Sequence, residues 1–263
     1  MKNILLHVHD DEGQENRLQV ALDVTRAVSG HLTCLDVVLS PMVLPEVELA
    51  GAMEVVAFER ERESKNMTRL RARLAMEGVA WDLVESVGEP AAELRKLATF
   101  ADLVVVSTKG EESGTSSLGI AAELAAKAGR PVLAVPPACR GVNVAAGALV
   151  AWDGSEEATA SLRAALPLLQ MAKHVTLLIV NSDKEFPGED AAAYLSRHGV
   201  HVRLVEKVTE VFVSDVILAR AQDIGVAYIV MGAFGHGRLI EAIFGGVTAA
   251  MLEKTAVPLL LTH

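Results

Sequence analysis

The sequence predicts an α/β protein built as two tandem, doubly wound, five-stranded parallel sheets, each in strand order 3-2-1-4-5. Three observations predict it. Four segments recur in the same order along the 263 residues: His31–Val37 as His174–Val180, Val79–Val87 as Val200–Val208, Ala101–Val106 as Val226–Met231, and Arg130–Val135 as Val257–Thr262. Within each copy, short apolar runs alternate with segments of helical spacing, as parallel strands joined by crossover helices require. Polar and glycine-bearing turns then follow apolar strands at the places where such sheets hold ligands.

Asn3–Val8 reads as the first strand, and Glu15–Val28 as a helix with Leu18, Ala21, Leu22, Val24 and Val28 on one face, ended by Gly30. His31–Val38 is a strand. Val47–Glu77 is a long helix whose charged stretch Glu59–Arg73 reads as a solvated face. Pro90 occupies the first position of the next helix, where no N–H is needed. Asp102–Val106 is a strand, Ala121–Ala128 a helix and Pro131–Val135 the last strand of the copy. Residues 136–141 form a linker, which divides the chain into units of 1–138 and 142–263, and a strand at Ala148–Trp152 opens the second unit. The repeat offset drops from 143 (31 to 174) to 121 (79 to 200), so the second copy is 22 residues shorter between those matches.

Composition excludes several classes. An apolar content of 51% with mean hydropathy +0.33 provides for a substantial core and argues against disorder. No apolar run reaches the roughly 18 residues of a membrane span. Met1-Lys2-Asn3-Ile4-Leu5-Leu6 enters a strand without the design of a signal peptide. A net charge of −10 and an aromatic content of 4% disfavour nucleic acid and anionic membranes as partners. With Cys34 and Cys139 the only cysteines, there is no disulfide framework, and a reducing cytoplasmic location is expected.

The stretch with most chemical content is Ile229-Val230-Met231-Gly232-Ala233-Phe234-Gly235-His236-Gly237-Arg238, followed by Gly245-Gly246-Val247-Thr248. A buried strand runs into glycines that let backbone approach a ligand, and Gly246 then opens a helix whose first N–H groups suit phosphate. It is not a Walker loop, since no Gly-Lys-Ser/Thr follows. For strand order 3-2-1-4-5 the winding reverses between the first and fourth strands. In the second copy these end at Asp153-Gly154-Ser155 and at the glycine loop, so two separate features converge on one crevice.

Val150–Ala158 at the first strand–helix turn, together with Gly232-x2-Gly235-x9-Gly245, resembles the universal stress protein family in its tandem form, over nearly the whole chain. The resemblance implies an adenine-nucleotide α-hydrolase-like fold, halves joined as a pseudo-dimer through Val132–Val135 and Pro258–Leu261, and ATP binding, with or without Mg²⁺. It implies that Ala151 and Asp153 lie by the adenosine, that Val180 reads the adenine edge through its backbone, and that Met231, Gly232 and Gly235 line the ribose and phosphate approach. Gly245, Gly246, Val247 and Thr248 would supply N–H groups and a hydroxyl, with His236 and Arg238 beside them. A regulatory stress-response role, an unnamed protein partner and a possible homodimer follow, with at most slow hydrolysis, since a Walker lysine and an evident Mg²⁺ carboxylate cluster are missing.

Gly246 stands where the family has Ser or Thr. A hydrogen bond to a charged group contributes roughly 1.5–3 kcal/mol, so its loss would weaken binding about ten- to a hundredfold unless Thr248 substitutes. The first copy departs further: His9 stands at the Asp position, Ser107 at the first glycine and Ile120 at the Ser/Thr, while Lys109-Gly110-Glu111-Glu112 brings two carboxylates to the phosphate side. That copy is expected not to bind ATP. His7 and His9, with Asp10 and Asp11, could alternatively hold a divalent metal, or be polar residues left in a degenerate pocket. Asp153 and Ser155 could be turn and cap chemistry alone, and Cys34 a small buried residue. Two other functions stay open: an enzyme acting on an adenylated or phosphorylated substrate, using Thr248, His236 or Arg238, and an interaction module without nucleotide.

Overall fold

The computed structural model describes residues 1–39, 49–109, 119–181, 186–235 and 246–263. The first half runs β1 (Asn3–Val8), α1 (Gln14–Val28), β2 (His31–Leu39), α2 (Leu49–Leu74), β3 (Ala80–Gly88), α3 (Pro90–Leu97), β4 (Leu103–Ser107), α4 (Gly119–Lys127) and β5 (Val132–Val135). The second runs β6 (Gly147–Trp152), α5 (Glu156–Leu169), β7 (His174–Val180), α6 (Gly188–Arg197), β8 (Val202–Lys207), α7 (Val213–Ile224), β9 (Tyr228–Gly232), α8 (Val247–Lys254) and β10 (Leu259–Thr262). The expected strands are all present, with ends shifted by a residue or so. Most of the 22-residue shortening of the second copy falls on one helix, α6 having 10 residues where α2 has 26.

The ten strands among the described residues form one sheet in the order β3-β2-β1-β4-β5-β10-β9-β6-β7-β8, so each half has the predicted 3-2-1-4-5 order. Pairing is parallel within each half and antiparallel at the join, where Leu259, Leu260 and Leu261 of β10 oppose Ala134, Leu133 and Val132 of β5. Each of these strands would otherwise leave an apolar edge open, and edge-to-edge pairing removes both edges.

Alternation along the strands puts Leu6, Cys34, Val105, Val150, Leu177 and Leu260 in one core layer, and Leu5, Val104, Leu149, Ile229 and Leu261 in the other. Both layers run across the join. Helices α1 and α5 cover the first layer, and α4 and α8 the second. Cys34 is fully buried, and burial pushes its thiol up to about 12, so it is the small apolar residue expected.

One correction concerns α2. Glu59–Arg73 is not simply a solvated face, because Glu63, Asn66, Met67 and Leu70 are buried against the sheet. The excess of charge around them hid the apolar stripe.

Candidate functional site

In the second half, β6 is hydrogen-bonded between β9 and β7, and the chain leaves β6 and β9 toward opposite faces, to α5 and α8. The crevice where the winding reverses therefore lies between the ends of β6 and β9, as the sequence places it. Of the expected residues, Ala151 and Asp153 stand at the end of β6, Val180 at the end of β7, Met231, Gly232 and Gly235 at and after the end of β9, and Gly246, Val247 and Thr248 at the start of α8. His236, Arg238 and Gly245 fall outside the described residues.

At the end of β6, Gly154 takes a left-handed φ of +73° and turns the chain sharply into α5. Asp153 Oδ1 accepts hydrogen bonds from the Ser155 N–H at 3.0 Å and the Ser155 hydroxyl at 2.6 Å. Ser155 Oγ accepts from the Ala158 N–H at 3.1 Å and caps α5. The turn and cap chemistry is thus present at Asp153, and it fixes one carboxylate oxygen just past the end of β6.

Met231 is buried in β9, and its carbonyl accepts a 2.8 Å bond from the Ser161 hydroxyl. Gly232 does something different from what its motif suggests. A Cβ there would lie 2.6 Å from Ala158 N and 2.8 Å from the Glu157 carbonyl carbon, so the missing side chain makes room for the first turn of α5. At Gly235 a Cβ would meet only the end of a side chain, a Glu157 carboxylate oxygen at 3.0 Å. Glu157 therefore stands against both Gly232 and Gly235, a placement that the Asp-Gly-Ser-Glu-Glu stretch does not reveal in the sequence.

Phe234 has φ +57°, and its N–H donates a long 3.4 Å bond to Thr248 Oγ1. The Thr248 hydroxyl thus ties the loop to α8 through its acceptor side. Gly246 is the N-cap of α8 and offers no capping side chain, so the first N–H groups of that helix look for an acceptor elsewhere. Val180 is buried at the end of β7 beside β6.

The equivalent crevice of the first half is filled from within. Arg17 and Ser161 each stand nine positions past the last residue of their strand, Val8 or Trp152. Arg17 is 2% exposed. Its guanidinium donates to Ser107 Oγ at 2.6 Å, Asp11 Oδ1 at 2.9 Å, and the His7 and His9 carbonyls at 3.2 and 3.4 Å. It lies across the ends of β1 and β4, the place that Asp153 and Gly232 flank in the other half. Arg17 went unnoticed in the sequence because it stands within the apolar stripe of α1, where a charged residue signals a buried partner.

The metal set suggested by adjacency does not assemble. Asp10 pairs with Arg69 at 2.7 Å and Asp11 with Arg17, while the His7 ring is buried and stacked on His9 at 6.3 Å between centroids. Burial, then the Arg17 and His9 charges, hold His7 down at about 3, so it is neutral. His9 instead faces Glu63, with Nδ1 2.9 Å from the carboxylate. Gly110, Glu111 and Glu112 lie outside the described residues, and Lys109 is exposed.

The universal stress protein family model matches residues 1–136 and 188–263. A universal stress protein of Synechocystis sp. is 21% identical over 99% of this chain and 99% of its own. Among solved structures, a universal stress protein from Archaeoglobus fulgidus superposes with a TM-score of 0.76 at 17% identity, covering 99% of this chain and 97% of that one. A putative universal stress protein from Pseudomonas aeruginosa gives a TM-score of 0.61 at 16% identity, covering 100% and 93%. No helix among the described residues is long and apolar enough to cross a membrane.

Proposed function

The chain belongs to the universal stress protein family, and on that premise we propose that it is an ATP-binding regulatory member of it, with one nucleotide site, in the second half. The reading is supported by three elements: Asp153 at the end of β6, Gly235 after β9 with Glu157 against it, and the uncapped start of α8, whose Thr248 is hydrogen-bonded to the loop at Phe234. A carboxylate suits ribose hydroxyls, and helix N–H groups suit phosphate oxygens. The family resemblance adds His236, Arg238 and Gly245, which lie outside the described residues, to the same proposed site.

Glu157 shapes what binds. Its carboxylate lies against Gly235, and if phosphate sits over that glycine, two like unit charges about 6 Å apart would repel by roughly 3 kcal/mol at an effective dielectric near 20. The nucleotide therefore enters as its Mg²⁺ complex, whose cation offsets Glu157, and Asp153 and Glu157 are the described acids that would face it. In the first half Arg17 fills the corresponding crevice, and that half acts as scaffold and partner surface. The two units of this proposal are 1–138 and 142–263, the setting is cytoplasmic, and homodimerisation and an as yet unnamed protein partner belong to the same reading. Catalysis is absent or slow.

Mass spectrometry of small molecules released from freshly purified protein tests the reading. ATP or ADP is expected from the wild type and not from Gly235→Asp, which adds a second acid beside Glu157. Release of no adenine nucleotide, together with no thermal stabilisation by Mg²⁺-ATP, would leave the interaction-module reading in its place.

A further inference from the structure

Away from the glycine loop, the end of β1, the strand β2 and the helix α2 bring three ligating groups together. One potential ligand atom each from His9, Asp36 and Glu63 lie within 4.8 Å of one another. Glu63 is well supplied: one oxygen accepts from the Asp10 N–H at 3.2 Å and faces His9 Nδ1 at 2.9 Å, and the other accepts from the Asn66 amide at 3.1 Å. Asp36 is not. It is 1% exposed, its carboxyl group is hydrogen-bonded to Glu63, and its Oδ1 has no hydrogen-bond partner.

Two buried carboxyl groups in contact, one with an oxygen left without a partner, are an expensive arrangement unless a shared proton or a cation joins them. The fold itself does not ask for an acid here. Strand register puts Asp36 opposite Val8, and the same register in the other half puts Ile179 opposite Trp152. We propose that His9, Asp36 and Glu63 bind a divalent transition-metal ion of the Zn²⁺ class, one per chain, in the half of the protein that does not take nucleotide. One imidazole nitrogen and two carboxylate oxygens suit zinc, with a water as fourth ligand. Ligand atoms within 4.8 Å need only close in by an ångström or so to meet one ion.

Arg62 is the group that must give way. Its guanidinium lies 3.0 Å from His9 Nε2 and 3.5 Å from Glu63, and its side chain is 29% exposed. With metal on Nδ1, Nε2 carries the proton and becomes a donor, so Arg62 swings toward solvent. The site is independent of the nucleotide reading, since it shares no residue with it.

The test is calorimetric titration of ZnCl2 into the full chain after chelator treatment, for the wild type, Asp36→Asn and His9→Gln, with folding of each checked by circular dichroism. The wild type is expected to take one Zn²⁺ per chain, and each variant to bind at least tenfold more weakly. His9→Gln alters a partly exposed side chain and serves if Asp36→Asn does not fold. A tetrahedral Co²⁺ absorption spectrum, lost in both variants, would accompany this result. A wild type that binds no Zn²⁺ overturns the proposal, leaving Asp36 and Glu63 as a pair sharing a proton. Binding unchanged in the variants overturns it as well, by placing the ion on surface histidines.

Discussion

Replacing Arg17 by Met keeps most of the buried side-chain volume and removes the guanidinium. Asp11 Oδ1 would then lose its 2.9 Å ion pair, Ser107 Oγ its 2.6 Å donor, and the His7 and His9 carbonyls their bonds. Asp11 keeps one bond, from the Gly13 N–H at 2.7 Å. Breaking one side of a buried pair typically costs about 3–5 kcal/mol, because the partner stays buried and uncompensated. At roughly 2–4 °C per kcal/mol for a chain of this size, Tm should fall by about 10 °C. Urea denaturation should show the midpoint falling at unchanged slope, which marks lost stability rather than altered compactness. A loss below about 1 kcal/mol would mean that water already serves these groups, and that Arg17 does not fill the first crevice.

Glu157→Gln should strengthen Mg²⁺-ATP binding severalfold and make it less dependent on Mg²⁺, read by titration with and without the cation; weaker binding would refute repulsion as its role. Gly232→Ala should cost about 1–3 kcal/mol, since its Cβ would lie 2.6 Å from Ala158 N in the backbone of α5, whereas Gly235→Ala meets only the movable end of Glu157 and should be close to neutral in thermal melts. His7 is neutral in the fold with its pKa lowered from 6.5 to about 3, by burial first and Arg17 next. Its contribution is complete above pH 6.5 and is lost as the pH falls toward 3, amounting to at most ~5 kcal/mol. Asp36 acts in the opposite sense, because burial and then Glu63 raise it to about 7, so its contribution is lost as the pH rises through 4 to 7. The stability difference between wild type and His7→Leu should therefore grow with pH between 3 and 6.5, and a flat difference would refute it.

Much of the architecture was legible because the chain repeats itself. The duplicated segments gave the strands, and the winding rule turned strand order into a place for the site, at Asp153 and the loop after β9. The edge-to-edge join at β5 and β10 was legible only through family resemblance, since two apolar strand ends do not by themselves choose each other. Residues whose role depends on distant contact were not legible. Gly232 looks like part of a phosphate motif, yet its missing Cβ admits the helix after another strand. Glu157 and Arg17 sit on helices that bring them to crevices by tertiary packing alone. Asp36 reads as one polar residue in a strand, and only α2 folding over β2 sets Glu63 beside it.

The proposed function requires one nucleotide-binding crevice, in the second half, beside one filled by Arg17 in the first. Calorimetric titration of nucleotide-stripped protein with Mg²⁺-ATP measures it directly. One site per chain is expected, abolished by Gly235→Asp and left in place by Asp36→Asn. Two equivalent sites per chain, or one site indifferent to Gly235→Asp, would contradict it.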